Sequence, residues 1–319
     1  IPVVHVAGSK GKGSTSAMIA AGLSSAGSRT GLFTSPHVES FEERMTVDGT
    51  KPTREEMTCL IDEIAGVVRQ IEAEPGRVSP TYFELTTALA WQHFQANRVE
   101  RAVLEVGLGG RLDATNLCRP LVSVITTISR DHTRLLGSDL AEIAGEKAGI
   151  IKPGVPVVCG VNQSHALTAI EDVAADCQSP VWRLGREISL DYDPERHVAR
   201  ISTPARSWPE ISVPLPGRHQ AANTALAAAA IDVIDDGGAS VPQESACAAI
   251  AGLAWPIRIE TIGHHPTVIV DAAHNWASIQ ALLETLDSRP PTSGWRQRIL
   301  IFATSRDKDV DGLLRQLLP

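Results

Sequence analysis

Seven residues, GSKGKGS from Gly8 to Ser14, follow the apolar run VVHVA and combine what is needed to hold a phosphate: glycines, a lysine and a hydroxyl. Glycines let successive N–H groups converge, forming a concave nest for anionic oxygens. A helix expected from Ser14 to Ala26 puts the loop at a positive helix N-terminus. Lys12 can then reach terminal phosphates as a point charge, and Ser14 offers a hydroxyl to a phosphate or its metal. The spacing is not that of the common P-loop, because five residues before Gly11 stands Val6, so a shorter variant is implied. A glycine-rich turn ending a buried strand is the plain alternative, and the ordered lysine, hydroxyl, strand and helix weigh against it.

Other chemistry-bearing residues stand at comparable places. Glu105 closes the apolar AVLEV ahead of the glycines of VGLGGRLDATN, a setting in which a carboxylate positions magnesium (Mg2+) near nucleotide phosphates. Alone it reads as a structural cap for the next turn; beside a phosphate loop it reads as a metal ligand. Asp131 and His132 follow LVSVITTISR, and are either hydrogen-bonded structural groups or members of the same metal-phosphate site. Ser35, in TSPH, is first a turn signal. Lys147, in EIAGEKAGIIKPG, sits on an expected helix, where a solvated lysine paired with a glutamate is the simpler reading. Near magnesium, a neutralised lysine, once carbamylated, offers the oxygen ligands that hard cations prefer. Asp271 and His274, in VIVDAAHN, occupy a strand-end loop suited to substrate or nucleotide contact. Arg258 can clamp a phosphate or carboxylate bidentately, or serve a structural salt bridge.

The elements that must position these groups read as short apolar runs alternating with helices. They are VVHV, then Ser14 to Ala26; AVLEV at Ala102 to Val106; LVSVITTI at Leu121 to Ile128; and VPVVCG at Val155 to Gly160. This alternation predicts an α/β fold with a largely parallel sheet, whose ligands gather beyond the carboxyl ends of the strands. Trp182 to Pro216 reads as β-rich and irregular, HQAANTALAAAAIDVI as a helix, and a further helix ends near Leu253. After the helix-breaking proline of AWPIRIE come a strand, TVIVD, a helix from Trp276 to Leu286 and another strand, RILIFA. A domain boundary is expected near Trp255.

A chain of 319 residues, 43% hydrophobic and 21% charged, suffices for about two domains with cores. Its net charge of -8 argues against a general nucleic-acid binder. Five scattered cysteines without a CxxC pair suggest neither a disulfide framework nor a zinc site, and fit a reducing compartment. No run reaches the length of a membrane span and no signal peptide is visible, so a cytoplasmic protein is expected; the opening at Ile1 allows for a preceding segment.

The segments HVAGSKGKGS, GLFTSPHVESFEERM, TYFE, LEVGLGGRLDATN, ITTISRDHTRLLG, IAGEKAGIIKPG, GRHQAAN, WPIRIE, VDAAHN and RDKD occur in that order. Together they resemble the folylpolyglutamate synthase and dihydrofolate synthase family of the wider Mur ligase superfamily, along nearly the whole chain. The resemblance implies a Mur-type ATP-binding central domain over 1–254 and the start of a Rossmann-like glutamate-ligase domain, incomplete here, over 255–319. It implies that Gly11, Lys12, Gly13 and Ser14 hold ATP phosphates and that Asn223, Arg258 and Asp271 contact the nucleotide. Ser35, Glu105 and His132 match the magnesium sites, and Lys147 the lysine that becomes carbamylated. Asp271 and His274 lie near the incoming glutamate, with Lys12, Lys147 and His274 as the catalytic set. Thr81, Tyr82, Phe83 and Glu84, with Leu112, Asp113 and Ala114, correspond to segments near the pterin-bearing substrate.

Three positions depart from the pattern: Ile257 and Ala272 stand where the family favours glycine, and Trp276 where proline is frequent. Family members also usually begin earlier and continue past Pro319. The implied chemistry is ATP-dependent joining of L-glutamate to a folate or dihydropteroate through an acyl phosphate, by a monomer needing neither nucleic acid nor membrane. Another Mur-like acid–amino-acid ligase, or a truncated nucleotide-binding homologue without ligase activity, are the alternatives. A GTPase switch would need a base-reading NKxD motif, which the sequence lacks.

Overall fold

Short β-branched runs, each too brief for a helix, build the centre of the molecule. The structure, a computed structural model, describes residues 1–235, 241–288, 297–305 and 309–318. The first half of the chain runs β1 (Val3–Ala7), α1 (Lys12–Ser25), β2 (Thr30–Phe33), β3 (Met45–Val47), α2 (Arg54–Ala73), α3 (Tyr82–Ala96), β4 (Arg101–Glu105) and β5 (Val122–Ile125). It continues through α4 (Thr133–Leu136), α5 (Leu140–Ala148), β6 (Val157–Cys159), α6 (Ser164–Asp176) and β7 (Val181–Arg183). These seven strands form one sheet in the order β3-β2-β4-β1-β5-β6-β7, parallel throughout except for β3 against β2.

Because side chains alternate along a strand, the two faces of β1 bury different residues. Val4 and Val6 join Val103, Val122 and Val124 in a core shared with α1, whereas Val3 and Ala7 belong to cores on the opposite face. Both faces are covered, as a parallel sheet demands. Each such side chain contributes about 1.5–3 kcal/mol on burial, which fixes the strands and so the level at which their loops emerge. Register pairs Val6 with Glu105 and Ala7 with Ile125, so the loops after β1, β4 and β5 leave the same edge together. The chain moves from β1 to one side for β2 and β4, then to the other for β5, and this reversal opens a crevice at the carboxyl ends.

The irregular stretch is β-rich as predicted. β8 (Ser189–Asp193), β9 (Val198–Ser202) and β10 (Ile211–Ser212) make a three-stranded antiparallel sheet. Two helices follow, α7 (Arg218–Asp235) and α8 (Gln243–Ala251), and both pack against α1. The last described elements are the hairpin β11 (Glu260–His264) with β12 (Thr267–Val270), then α9 (Trp276–Ser288) and α10 (Val310–Leu317).

Two boundaries differ from the sequence reading for clear reasons. The expected strand Leu121 to Ile128 stops at Ile125; Thr126 N and the Thr127 carbonyl still bond the end of β1 (Ala7 carbonyl, 2.9 Å; Ser9 N, 2.8 Å), while the hydroxyls of Thr126 and Thr127 donate to the Lys10 carbonyl, at 2.5 and 3.1 Å, where β1 gives way to the phosphate loop. RILIFA is not a strand: its described backbone has no sheet partner, and Ile299 and Ile301 are 79% and 94% exposed. An apolar run becomes a strand only beside another, and among the described residues β11 and β12 pair only with each other. The RDKD motif lies largely outside the described residues, at 306–308.

Candidate active site

Where β1 ends, the chain is pinned to the extension of β5. Ser9 N donates to the Thr127 carbonyl (2.8 Å) and Lys10 N to Thr127 Oγ1 (3.0 Å). Gly11 then caps α1 in the left-handed region, at φ 83, a conformation that favours glycine. A Cβ there would collide with Asn223 Oδ1 on α7. No side chain caps α1 and no acidic residue sits in its first turn, so the N–H groups of a 14-residue helix start face the crevice. Lys12 is the first helical residue; Ser14 is buried.

Opposite the loop stands Glu105, the last residue of β4, buried and accepting from Ser35 N at 3.0 Å. Burial pushes its carboxyl above the usual range, while Lys12, the Ser35 N–H, Arg258 and Arg44 pull the other way. A Cβ added at Gly13 would lie 3.5 Å from Glu105 Oε2, so the carboxylate rests over the helix start. His132 opens α4 with φ 52, and its half-exposed ring is 3.9 Å from Asp131 Oδ1. Among the described residues no group of three or more His, Cys, Asp or Glu is gathered to hold a metal. Glu105 lines the main cleft and His132 the smaller recess, with Ser35 on both; Glu105 and Ser35 offer the oxygen donors that Mg2+ prefers.

Lys147 overturns its simpler reading. On α5 it is only 5% exposed, and burial, reinforced by the charge of Lys12, brings its ammonium down to about 7, with Asp131 opposing. It lines a recess of about 160 Å³ together with Lys12, Ser35 and His132.

Lys12 and Ser35 also line the main cleft of about 410 Å³, whose other wall is built by residues far along the chain: Arg258, Asp271 and His274. Asp271 accepts from Ile259 N (2.9 Å) and Ala273 N (2.7 Å), which folds the WPIRIE segment against the β12 loop. Burial depresses the Arg258 guanidinium, with Asp271 and Glu105 holding it charged. Its Nη1 donates to the Ile257 carbonyl (3.0 Å), which also receives Ala272 N (3.2 Å). Ile257 and Ile259 both adopt positive φ, 50 and 52. His274 Nδ1 donates to the Ala272 carbonyl (2.8 Å), leaving Nε2 to accept from Lys10 Nζ at 3.1 Å. Asn223 is buried on α7 at the cleft, with its amide donating to Gln220 (2.9 Å).

The segments matched to the pterin substrate lie beside the two cavities without lining them. Thr81 and Glu84 form the capping box of α3, and that hydrogen bonding lowers the Glu84 carboxyl. Tyr82 is exposed and edge-on to Phe41, while Phe83 packs on Phe33 and closes on Gly107, which lines the smaller recess. Asp113 caps the 3-10 turn begun by Ala114 and accepts from Leu108 N (2.9 Å); Leu112 points to solvent, 80% exposed. Sequence reasoning missed Lys10, Thr126, Thr127 and Asn275. Lys10 was legible only as part of the loop, and Asn275 only as the residue after His274.

The Mur ligase middle domain matches residues 6–231. The dihydrofolate synthase/folylpolyglutamate synthase of Bacillus subtilis is 37% identical over 325 aligned positions, covering 99% of this chain and 74% of that protein. Among solved structures, Escherichia coli FolC in complex with DHPP and ADP superposes with a TM-score of 0.87 at 32% identity, over 99% of this chain and 72% of that one. A folylpolyglutamate synthase (FPGS)–AMPPCP–folate complex gives 0.87 at 31% identity, over 93% and 72%.

Proposed function

The chain belongs to the folylpolyglutamate synthase/dihydrofolate synthase family of Mur ligases, and from that premise we propose that it joins L-glutamate to a folate-type acid at the expense of ATP. One observation carries the reading: an uncapped helix start with Lys12 on one wall of the cleft faces Arg258, Asp271 and His274 on the other. Phosphate chemistry and amine chemistry thus share one space. In this reading 1–254 is the ATP-binding domain and 255–319 the start of a glutamate-ligase domain.

Gly11, Gly13 and Ser14 hold the phosphates through backbone and hydroxyl, and Asn223, Arg258 and Asp271 hold the rest of the nucleotide. Lys12 offsets charge that builds on the γ-phosphate as the substrate carboxylate attacks it and ADP leaves. Glutamate's amine then attacks the acyl phosphate carbon; the C–O bond to phosphate breaks, and the proton lost from nitrogen passes to the departing phosphate, with His274 placed beside the amine. Glu105, Ser35 and His132 would hold magnesium, which supplies charge neutralisation to the transferring phosphoryl group. Lys147 is suited to carbamylation, in which its neutral amine adds to the carbon of CO2 and releases one proton; the carbamate supplies the oxygens an ammonium lacks. Asp113 and Phe83 of α3 act on the acid substrate by holding the 106–114 loop, through Leu108 N and Gly107.

Incubating the protein with ATP, magnesium, glutamate and a panel of dihydropteroate, reduced folates and cell-wall precursors tests the reading by phosphate release and product mass. Release that needs both a pterin acid and glutamate is expected; release with a different acid alone overturns it. A cytoplasmic monomer acting on small molecules completes the proposal, and light scattering checks its mass. No helix among the described residues is long and apolar enough to cross a membrane.

A further inference from the structure

We propose that Lys10, the first lysine of the phosphate loop, is a positioning residue that fastens this loop to the amine-handling segment through Asp131. The inference rests on reading the cleft as the meeting place of ATP and glutamate, and it assigns the two lysines of one loop to different partners.

Both lysines line both cavities, but only Lys12 lies in α1, as its first residue. The main chain of Lys10, by contrast, is clamped at both ends, its N–H on Thr127 Oγ1 and its carbonyl under the hydroxyls of Thr126 and Thr127. Its ammonium reaches Asp131 Oδ2 (3.3 Å) and His274 Nε2 (3.1 Å). The Asp131 side chain is only 7% exposed, and it also accepts from Asn275 Nδ2 on Oδ2 (2.8 Å) and from His132 N on Oδ1 (3.0 Å). Three segments distant in sequence, the phosphate loop, the β5–α4 loop and the 271–275 loop, therefore converge on one buried carboxylate.

Such a carboxylate is costly to leave under-paired, so it acts as a shared anchor rather than a surface ion pair. His274 is held on both sides: Nδ1–H on the Ala272 carbonyl sets the tautomer, and the Lys10 ammonium takes up the Nε2 lone pair, so the ring is fixed in place. That anchors the group that meets the amine to the loop that meets the phosphate. A misplacement of about 1 Å between reacting groups is enough to cost about 100-fold in rate.

The test compares Lys10→Met, Asn275→Ala and the double variant in the full chain. Three readouts are taken: ADP affinity by calorimetry, amide exchange of residues 272–278 without ligand, and the KM for glutamate at saturating ATP. Lys10→Met should speed exchange in 272–278 about tenfold and raise the glutamate KM about tenfold, with ADP affinity held within about twofold. The double variant should fall short of the product of the single effects, because both act on Asp131. Weakened ADP binding with unchanged exchange would make Lys10 a phosphate ligand and overturn the proposal, as would multiplicative effects. Exchange needs no turnover, so faster exchange in a protein that ligates no folate-type acid would retain the anchor while removing the ligase reading.

Discussion

Lys147 holds its nitrogen where an ammonium is poorly solvated, so near neutral pH much of it is an amine. Unfolded, the same group keeps its proton to about 10.5; folded, it loses it at about 7. Between those values the unfolded state binds more protons, so stability rises with pH across that window and the full cost of burial is felt below it. Lys147→Met should therefore stabilise the protein by about 2–4 kcal/mol near neutral pH and much less near pH 10, read from urea midpoints in CO2-depleted buffer. Turnover should fall with the same substitution, since a thioether cannot form a carbamate. Lys12→Ala should lower kcat about 1,000-fold with the far-ultraviolet spectrum unchanged, and unaltered turnover would remove Lys12 from the catalytic set. Ile257 shows why glycine is favoured at its position: φ 50 is a left-handed backbone that a β-branched residue adopts only under strain. Ile257→Gly should stabilise by about 1 kcal/mol, the relief exceeding the entropy that glycine loses on folding. The types of Lys12, Glu105 and Asp271 were legible as chemistry from their loops and strand ends. The burial of Lys147 was not, because a lysine between a glutamate and an alanine looks solvated until packing covers it.

At the scale of elements, helix starts decide more than helix interiors. α1 begins two residues earlier than its apolar pattern suggests, since Lys12 and Gly13 carry no periodicity and are recruited by the left-handed cap at Gly11. Gly11→Ala should raise the KM for ATP by about tenfold or more, because the added Cβ meets Asn223 as well as the backbone strain. α3 shows the opposite economy: Thr81 and Glu84 satisfy each other as a capping box. Thr81→Ala should cost about 1 kcal/mol of stability in thermal or urea unfolding, and Thr81→Ser should restore it. A loss of substrate affinity with no change in stability would instead place Thr81 in direct contact with the acid. Strands were legible where β-branched runs find neighbours. RILIFA, with the same composition, has none among the described residues and stays irregular.

For the whole molecule, an overall charge of -8 coexists with a cleft walled by Lys12, Arg258 and the α1 start, so nucleotide is drawn to a local field rather than to the protein at large. In the proposed function one nucleotide touches both walls, so saturating ADP at about 100 times its Kd should add about 2.7 kcal/mol to stability, and amide exchange should slow in residues 8–14 and 271–278 together. Slowing in the phosphate loop alone would mean that the far wall does not close on the nucleotide. The phosphate loop, the α/β alternation and the ordered motifs are local patterns, written in neighbouring residues, and the sequence by itself determined them. That Lys10 meets His274 across 264 positions, that Asp131 collects donors from three segments and that Lys147 is stripped of water are facts of three-dimensional proximity. Only the tertiary structure decided them, because a group's charge state and partners depend on what the fold brings within a hydrogen-bond length and how much water it leaves there.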